Sequence, residues 1–206
     1  MRVVHYFDYK SPYAYLAQAE TRRLETELGV ELEWLPYTLD IPSYLGSAEV
    51  DEQGRVVSEN RSPHQWRRVR YAYMDCRREA RRRGIVLRGP RKIFDSSIAH
   101  VGMLYAKRRG DFRRYHEIVY ERFWRRELDI EDRAAVAGVL RESGVDASGF
   151  EEYLTGEGRR EHDRIRAEAE AAGVFGVPSW LVDGELFWGS ERFPRVAERL
   201  EASRRR

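Results

Sequence analysis

A chain of 206 residues with 37 basic and 35 acidic side chains carries a formal charge of only +2, which argues against a nucleic-acid binder whose affinity rests on a basic surface. The length suits one sizeable domain, or a small domain with a large insertion, and a content of 42% hydrophobic and 12% aromatic residues describes a globular chain. No run approaches the roughly 18 apolar residues of a membrane span, the opening residues show no secretory leader, and Cys76 is the single cysteine, so a reducing, cytoplasmic location without membrane contact is expected.

Val3-Val4-His5-Tyr6-Phe7 is an apolar run rich in β-branched and aromatic residues, the pattern of a strand covered on both faces. His5 within it reads as a hydrogen-bonded core histidine. The chain then breaks into a short loop and a helix: Ser11 suits the N-cap, and Pro12 suits the first helical position, where its missing N–H is not needed. Ordinary capping accounts for Ser-Pro by itself. A strand feeding a helix start also aims free N–H groups and the positive end of the helix dipole at one spot, which favours a phosphate, a carboxylate or a thiolate.

Tyr13, Leu16, Ala17, Leu24 and Leu28 keep to one helical stripe, and Gly29 is a natural C-terminal cap. Val30, Leu32 and Trp34 then alternate with Glu31 and Glu33, a second strand ending near Pro36, so the opening is a βαβ unit with parallel strands. Residues 37 to about 62 read as a long irregular connection. Ser62-Pro63-His64-Gln65 has the form of a capping box and opens a helix up to Gly84, with Trp66, Val69, Tyr73, Cys76 and Ala80 on one face. Cys76 therefore reads as a buried structural thiol. The connection from Ile85 to Lys92 carries Arg88, Arg91 and Lys92, either as a solvated turn or in contact with an anionic ligand.

Helices are expected over 96–109, from Asp111 to Arg126, and over 129–143, 150–154 and 158–172, with Phe112, Tyr115, Phe123 and Trp124 forming core or a pocket wall. Trp180 to Trp188 is a hairpin around Asp183-Gly184, and a last helix follows Ser190 with Phe193, Val196, Ala197 and Leu200 on its apolar face. This order predicts an α/β, thioredoxin-like fold with a large all-helical insertion. Residues 1–40 and 173–206 form the discontinuous thioredoxin-like domain, and residues 41–172 the insertion.

Three stretches, Asp8-x-x-Ser11-Pro12-Tyr13, Gly173-Val174-Phe175-Gly176-Val177-Pro178 and Phe187-Trp188-Gly189-Ser190-Glu191-Arg192, together resemble the DsbA-like thioredoxin superfamily, and within it the 2-hydroxychromene-2-carboxylate isomerases and kappa-class glutathione transferases. The resemblance implies a cis Val177–Pro178 bond that leaves the Val177 main chain open to an extended peptide such as glutathione. It also implies that Ser11 holds the thiolate of glutathione, or of another low-molecular-weight thiol. Disulfide-exchanging relatives carry Cys-x-x-Cys where this chain has Ser11-Pro12-Tyr13-Ala14, and the absence of both sulfurs counts against dithiol chemistry.

By the same resemblance Ser190 and Glu191 meet the γ-glutamyl end, although relatives more often have Ser-Asp or Asn-Asp there; a carboxylate stabilising a helix start is the other reading of Glu191. Arg192 also matches. Asn60, Arg61, Arg91 and Lys92 are candidates for the glycyl carboxylate. The implied activity is glutathione-dependent isomerisation or transfer on a small conjugated or aromatic electrophile, and such relatives are often homodimers. Two other readings compete: a noncatalytic peptide-binding module, and disulfide exchange through an exposed Cys76. The five histidines show no metal-ligand spacing and Ser11 lacks a Gly-x-Ser-x-Gly elbow, so neither a metal site nor a hydrolase is expected.

Overall fold

Every residue of β1 (Val3–Phe7) is buried, as the unbroken apolar run requires. The structure, a computed structural model, describes residues 2–110 and 112–204, with side chains through Ser203; Asp111, expected to open a helix, lies outside the described residues. The chain divides into two units, residues 1–39 with 160–206 and residues 40–159. The division falls within α8, earlier than the boundary expected at residue 172.

In the first unit, α1 (Pro12–Leu28) and β2 (Glu33–Pro36) follow β1, and β5 (Ser179–Val182), β6 (Glu185–Trp188) and α9 (Phe193–Arg204) complete it. The sheet order is β2-β1-β5-β6, with β1 and β2 parallel and the other pairs antiparallel. β2 starts later than the alternation from Val30 predicts. Glu25 on α1 accepts hydrogen bonds from the Leu32 N–H at 3.4 Å and the Trp34 indole at 3.1 Å, so this stretch pairs with a side chain before it joins the ladder. The hairpin forms around Asp183 (φ +47°) and Gly184 (φ +87°), a turn with both central residues left-handed.

His5 lies in the core, stacked on Trp180 at 5.2 Å and edge-on to Trp34 at 4.7 Å between ring centroids. The expected hydrogen bond is missing, because neither ring nitrogen reaches a partner in bonding geometry. Burial therefore pushes the His5 pKa down to about 3, with the Ser179 backbone acting weakly against it.

The second unit holds α2 (Ile41–Leu45), α3 (Pro63–Arg82), α4 (Ser97–Arg109), α5 (Phe112–Arg125), α6 (Arg133–Glu142), α7 (Phe150–Thr155) and the start of α8 (Glu157–Ala171). It is not all-helical: β3 (Ala48–Val50) and β4 (Val56–Glu59) pair as an antiparallel hairpin. Every residue of β4 is exposed, so no buried face wrote an alternating pattern into the sequence. α4 is central and packs against α5, α6 and α7. Gly102 permits the close approach of α5, since a Cβ there collides with the Tyr115 hydroxyl, which donates to the Ala99 carbonyl at 2.9 Å. Tyr115, Phe123 and Trp124 are buried, placing three of the four aromatic residues of this region in the core. α6 is capped by Asp132, whose Oδ1 accepts from Ala134 N at 2.8 Å and Ala135 N at 3.1 Å, while Asp129 makes a preceding turn. Among the described residues no helix is long and apolar enough to cross a membrane.

Candidate active site

The antiparallel pairing of β1 with β5 brings the end of one to the start of the other, with Tyr6 opposite Ser179. The Val177–Pro178 segment that leads into β5 therefore lies at the end of the sheet where β1 runs into the loop before α1. The Val177–Pro178 bond is cis, as expected. Gly189 N–H donates to the Pro178 carbonyl at 2.9 Å, and the following 3-10 turn, Ser190–Arg192, packs against α1. The fold thus gathers Ser11, Val177, Pro178, Ser190 and Glu191 at one end of the first unit's sheet.

Ser11 caps α1. Its Oγ accepts from Ala14 N–H at 3.2 Å, its own N–H donates to the Asp8 carbonyl at 3.0 Å, and its carbonyl accepts from Tyr15 N–H at 3.0 Å. A serine hydroxyl has one hydrogen and two lone pairs, so the cap bond uses a lone pair and leaves the hydrogen to donate elsewhere. Ser11 is only 5% exposed, which strengthens an electrostatic contact made there.

Beneath this loop lies a buried ion pair to which the sequence reading assigned no role. The Asp8 carboxylate, with no exposed surface, accepts from Leu39 N–H at 2.8 Å and Lys10 N–H at 3.1 Å, and Lys10 Nζ stands 3.6 Å away, itself nearly fully buried. A buried carboxylate needs such partners, and here they fix the backbone that presents Ser11. The available signal was a charged residue directly following a wholly apolar strand.

Val177 makes no main-chain hydrogen bond among the described residues. Glu191 makes no ion pair among them, and its carboxylate folds back over Gly189 (φ +97°), where a Cβ would lie 2.5 Å from Oε2. The glycyl-carboxylate candidates are all in the second unit, and each is engaged there. Asn60 Oδ1 accepts from Ser47 N–H at 2.6 Å, Arg61 Nε donates to the Leu45 carbonyl at 3.1 Å, Arg91 meets Glu52 at 3.4 Å, and Lys92 meets Glu131 at 2.5 Å. Cys76 is buried within α3, which removes the exposure that disulfide exchange requires of it.

A feature that sequence reasoning missed is an aromatic pair beside the cis-proline loop. Phe175 and Trp188 meet in a tilted contact, with centroids 4.8 Å apart and ring planes 55° to one another, yet are 61% and 48% exposed. Gly176 lets them meet, since a Cβ there would lie 2.6 Å from the Trp188 indole nitrogen.

The family model described as DSBA-like thioredoxin domain matches residues 2–201. A 2-hydroxychromene-2-carboxylate isomerase of Sphingobium xenophagum is 28% identical over 191 residues, covering 91% of each chain. A solved structure of 2-hydroxychromene-2-carboxylate isomerase superposes with a TM-score of 0.74 at 23% identity, covering 100% of this chain and 97% of that one. A cytosolic disulfide reductase of Pseudomonas aeruginosa, solved with GSH, shares the fold with a TM-score of 0.59 at 16% identity and covers 100% of both chains.

Proposed function

Because the chain belongs to the DSBA-like thioredoxin domain family, we propose that it is a glutathione-dependent isomerase or transferase acting on a small conjugated or aromatic electrophile of the 2-hydroxychromene-2-carboxylate kind. The observation that carries the roles of glutathione and Ser11 is the Ser11 hydroxyl, which accepts from Ala14 N–H and so keeps a hydrogen to donate, at a helix start where disulfide-exchanging relatives place a cysteine.

Glutathione held here would supply a thiolate nucleophile capable of reversible addition to a conjugated double bond, chemistry that involves no net oxidation. The chain's own residues hold and activate it. Ser11 donates its hydroxyl hydrogen to the sulfur, and the α1 N-terminus favours the anion; such surroundings lower a thiol pKa from about 8.5 into a range of roughly 3.5 to 7.5. The Val177 main chain pairs with the peptide backbone, and Ser190 and Glu191 receive the γ-glutamyl ammonium. Phe175 and Trp188 offer an apolar face to an aromatic substrate. A homodimer belongs to the same proposal.

Calorimetric titration of glutathione and of S-methyl glutathione tests this reading. Binding of the free thiol that weakens on methylation, and weakens in Ser11→Ala, supports a thiolate held at Ser11. No binding at millimolar glutathione contradicts it.

A further inference from the structure

Many arginines on the surface helices stand beside carboxylates: Arg82 meets Glu79 at 2.7 Å, Arg164 meets Glu168 at 2.9 Å and Arg166 meets Glu170 at 2.9 Å. Around Tyr73, in the second unit, the arrangement is different. Arg77, one turn further along α3, lays its guanidinium 5.6 Å from the centre of the Tyr73 ring. Gly89 closes on both, because a Cβ there would lie 3.1 Å from Tyr73 Cε1 and 3.5 Å from Arg77 Nη2. The Gly89 carbonyl accepts from Arg126 Nε at 2.7 Å. Arg126 follows α5 with a left-handed backbone (φ +63°), and although the residue as a whole is exposed, this bond draws its guanidinium in.

Arg88 joins the same group. Its N–H donates to the Trp124 carbonyl at 2.8 Å and its Nη1 to the Arg125 carbonyl at 3.5 Å, which ties the connection after α3 to the end of α5. Among the described residues Arg77, Arg88 and Arg126 form no ion pair, and Arg91 nearby reaches only the exposed Glu52. Like charges so placed raise one another's energy, and a bound anion relieves it. The electrostatics agree with the geometry. Partial burial first, and then Arg91, Arg77 and Arg88, hold the Arg126 guanidinium below the ordinary arginine range. Burial pushes the Tyr73 phenol up to about 12, although a tyrosine at its ordinary value of about 10 is an O–H donor at neutral pH as well.

We propose that Tyr73, Arg77, Arg88 and Arg126 form a binding site for a phosphate group, with Arg91 at its rim. One guanidinium fork neutralises a monocarboxylate, whereas a tetrahedral dianion offers oxygens to several forks and to a phenolic donor at once. The site lies wholly within the second unit and stands or falls independently of Ser11.

Titration calorimetry on the full chain at constant ionic strength tests it, with inorganic phosphate, glycerol phosphate and acetate as probes. Arg77→Gln and Arg126→Gln are compared with Arg78→Gln, whose arginine pairs with Asp75 at 3.5 Å on the same helix. Phosphate is expected to bind, each of the first two substitutions to weaken it about tenfold or more, and Arg78→Gln to leave it unchanged. Circular dichroism confirms that the variants are folded. Tighter binding of glycerol phosphate identifies an esterified ligand, and tighter binding of inorganic phosphate identifies the free ion; both support the site. No phosphate binding, equal weakening by Arg78→Gln, or acetate binding as tightly as phosphate overturns it.

Discussion

Two helices of this chain open on Ser-Pro, and their surroundings differ in every respect that matters for chemistry. At Ser62 the cap is reciprocal and exposed: Ser62 Oγ accepts from Gln65 N–H at 3.2 Å, and Gln65 Oε1 accepts from Ser62 N–H at 2.8 Å. At Ser11 the third helical residue is Ala14, which has no side chain to return the bond, and the Ser11 N–H turns back to the Asp8 carbonyl instead. The first cap seals a helix end, while the second sits buried at the meeting point of two strands with a hydroxyl hydrogen left to give. The dipeptide announces a cap; the strand before it and the loop beside it decide what else that cap can do.

Substitutions can pull this contrast apart. The largest effect is expected beneath Ser11, where Asp8→Ala leaves Lys10 buried without its carboxylate and lowers stability by about 3–5 kcal/mol in urea denaturation. Next, Ser11→Ala is expected to reduce kcat/KM about 10²-fold, the loss typical of one donor to a developing anion, while stability drops by about 1 kcal/mol.

His5 gives a smaller effect with a definite sign. The folded state holds its pKa at about 3 against an ordinary 6.5, so below 6.5 the unfolded chain takes up the proton first and stability is lost as pH falls toward 3, at up to about 1.4 kcal/mol per pH unit. In His5→Phe the stability difference between pH 7 and pH 4.5 should shrink by about 2.5 kcal/mol; an unchanged difference would show that His5 is paired after all. The smallest effect belongs to the other cap. Ser62→Ala is expected to cost about 1 kcal/mol and leave kcat/KM unchanged, and a loss of turnover there would erase the distinction between the two openings.

Much of the fold was legible because its signals are local. The Ser62–Gln65 box, the Asp183-Gly184 turn and the apolar run of β1 each announce themselves within a few residues. Ser11 as a cap was readable from its neighbours, but its grouping with Val177 and Glu191 came only through likeness to a family, since no spacing rule joins positions so far apart. The β3–β4 hairpin was missed because an exposed strand has no hydrophobic face to print a period. Asp8 was seen without a role because its partners include a backbone N–H at Leu39, contributed by the far end of the βαβ unit. Arg77, Arg88 and Arg126 are likewise scattered along the chain: Gly89 links Arg77 to Arg126, and Arg88 is tied to the end of α5 by the Trp124 and Arg125 carbonyls.

The most direct test of the Ser11 account follows the ultraviolet absorbance of thiolate against pH for glutathione bound at saturation to the native protein, Ser11→Ala and Ser62→Ala. The account predicts a bound-thiol pKa well below the free value of about 8.5 in the native protein and Ser62→Ala, and a return toward that value in Ser11→Ala. The same depressed pKa in all three proteins would contradict it.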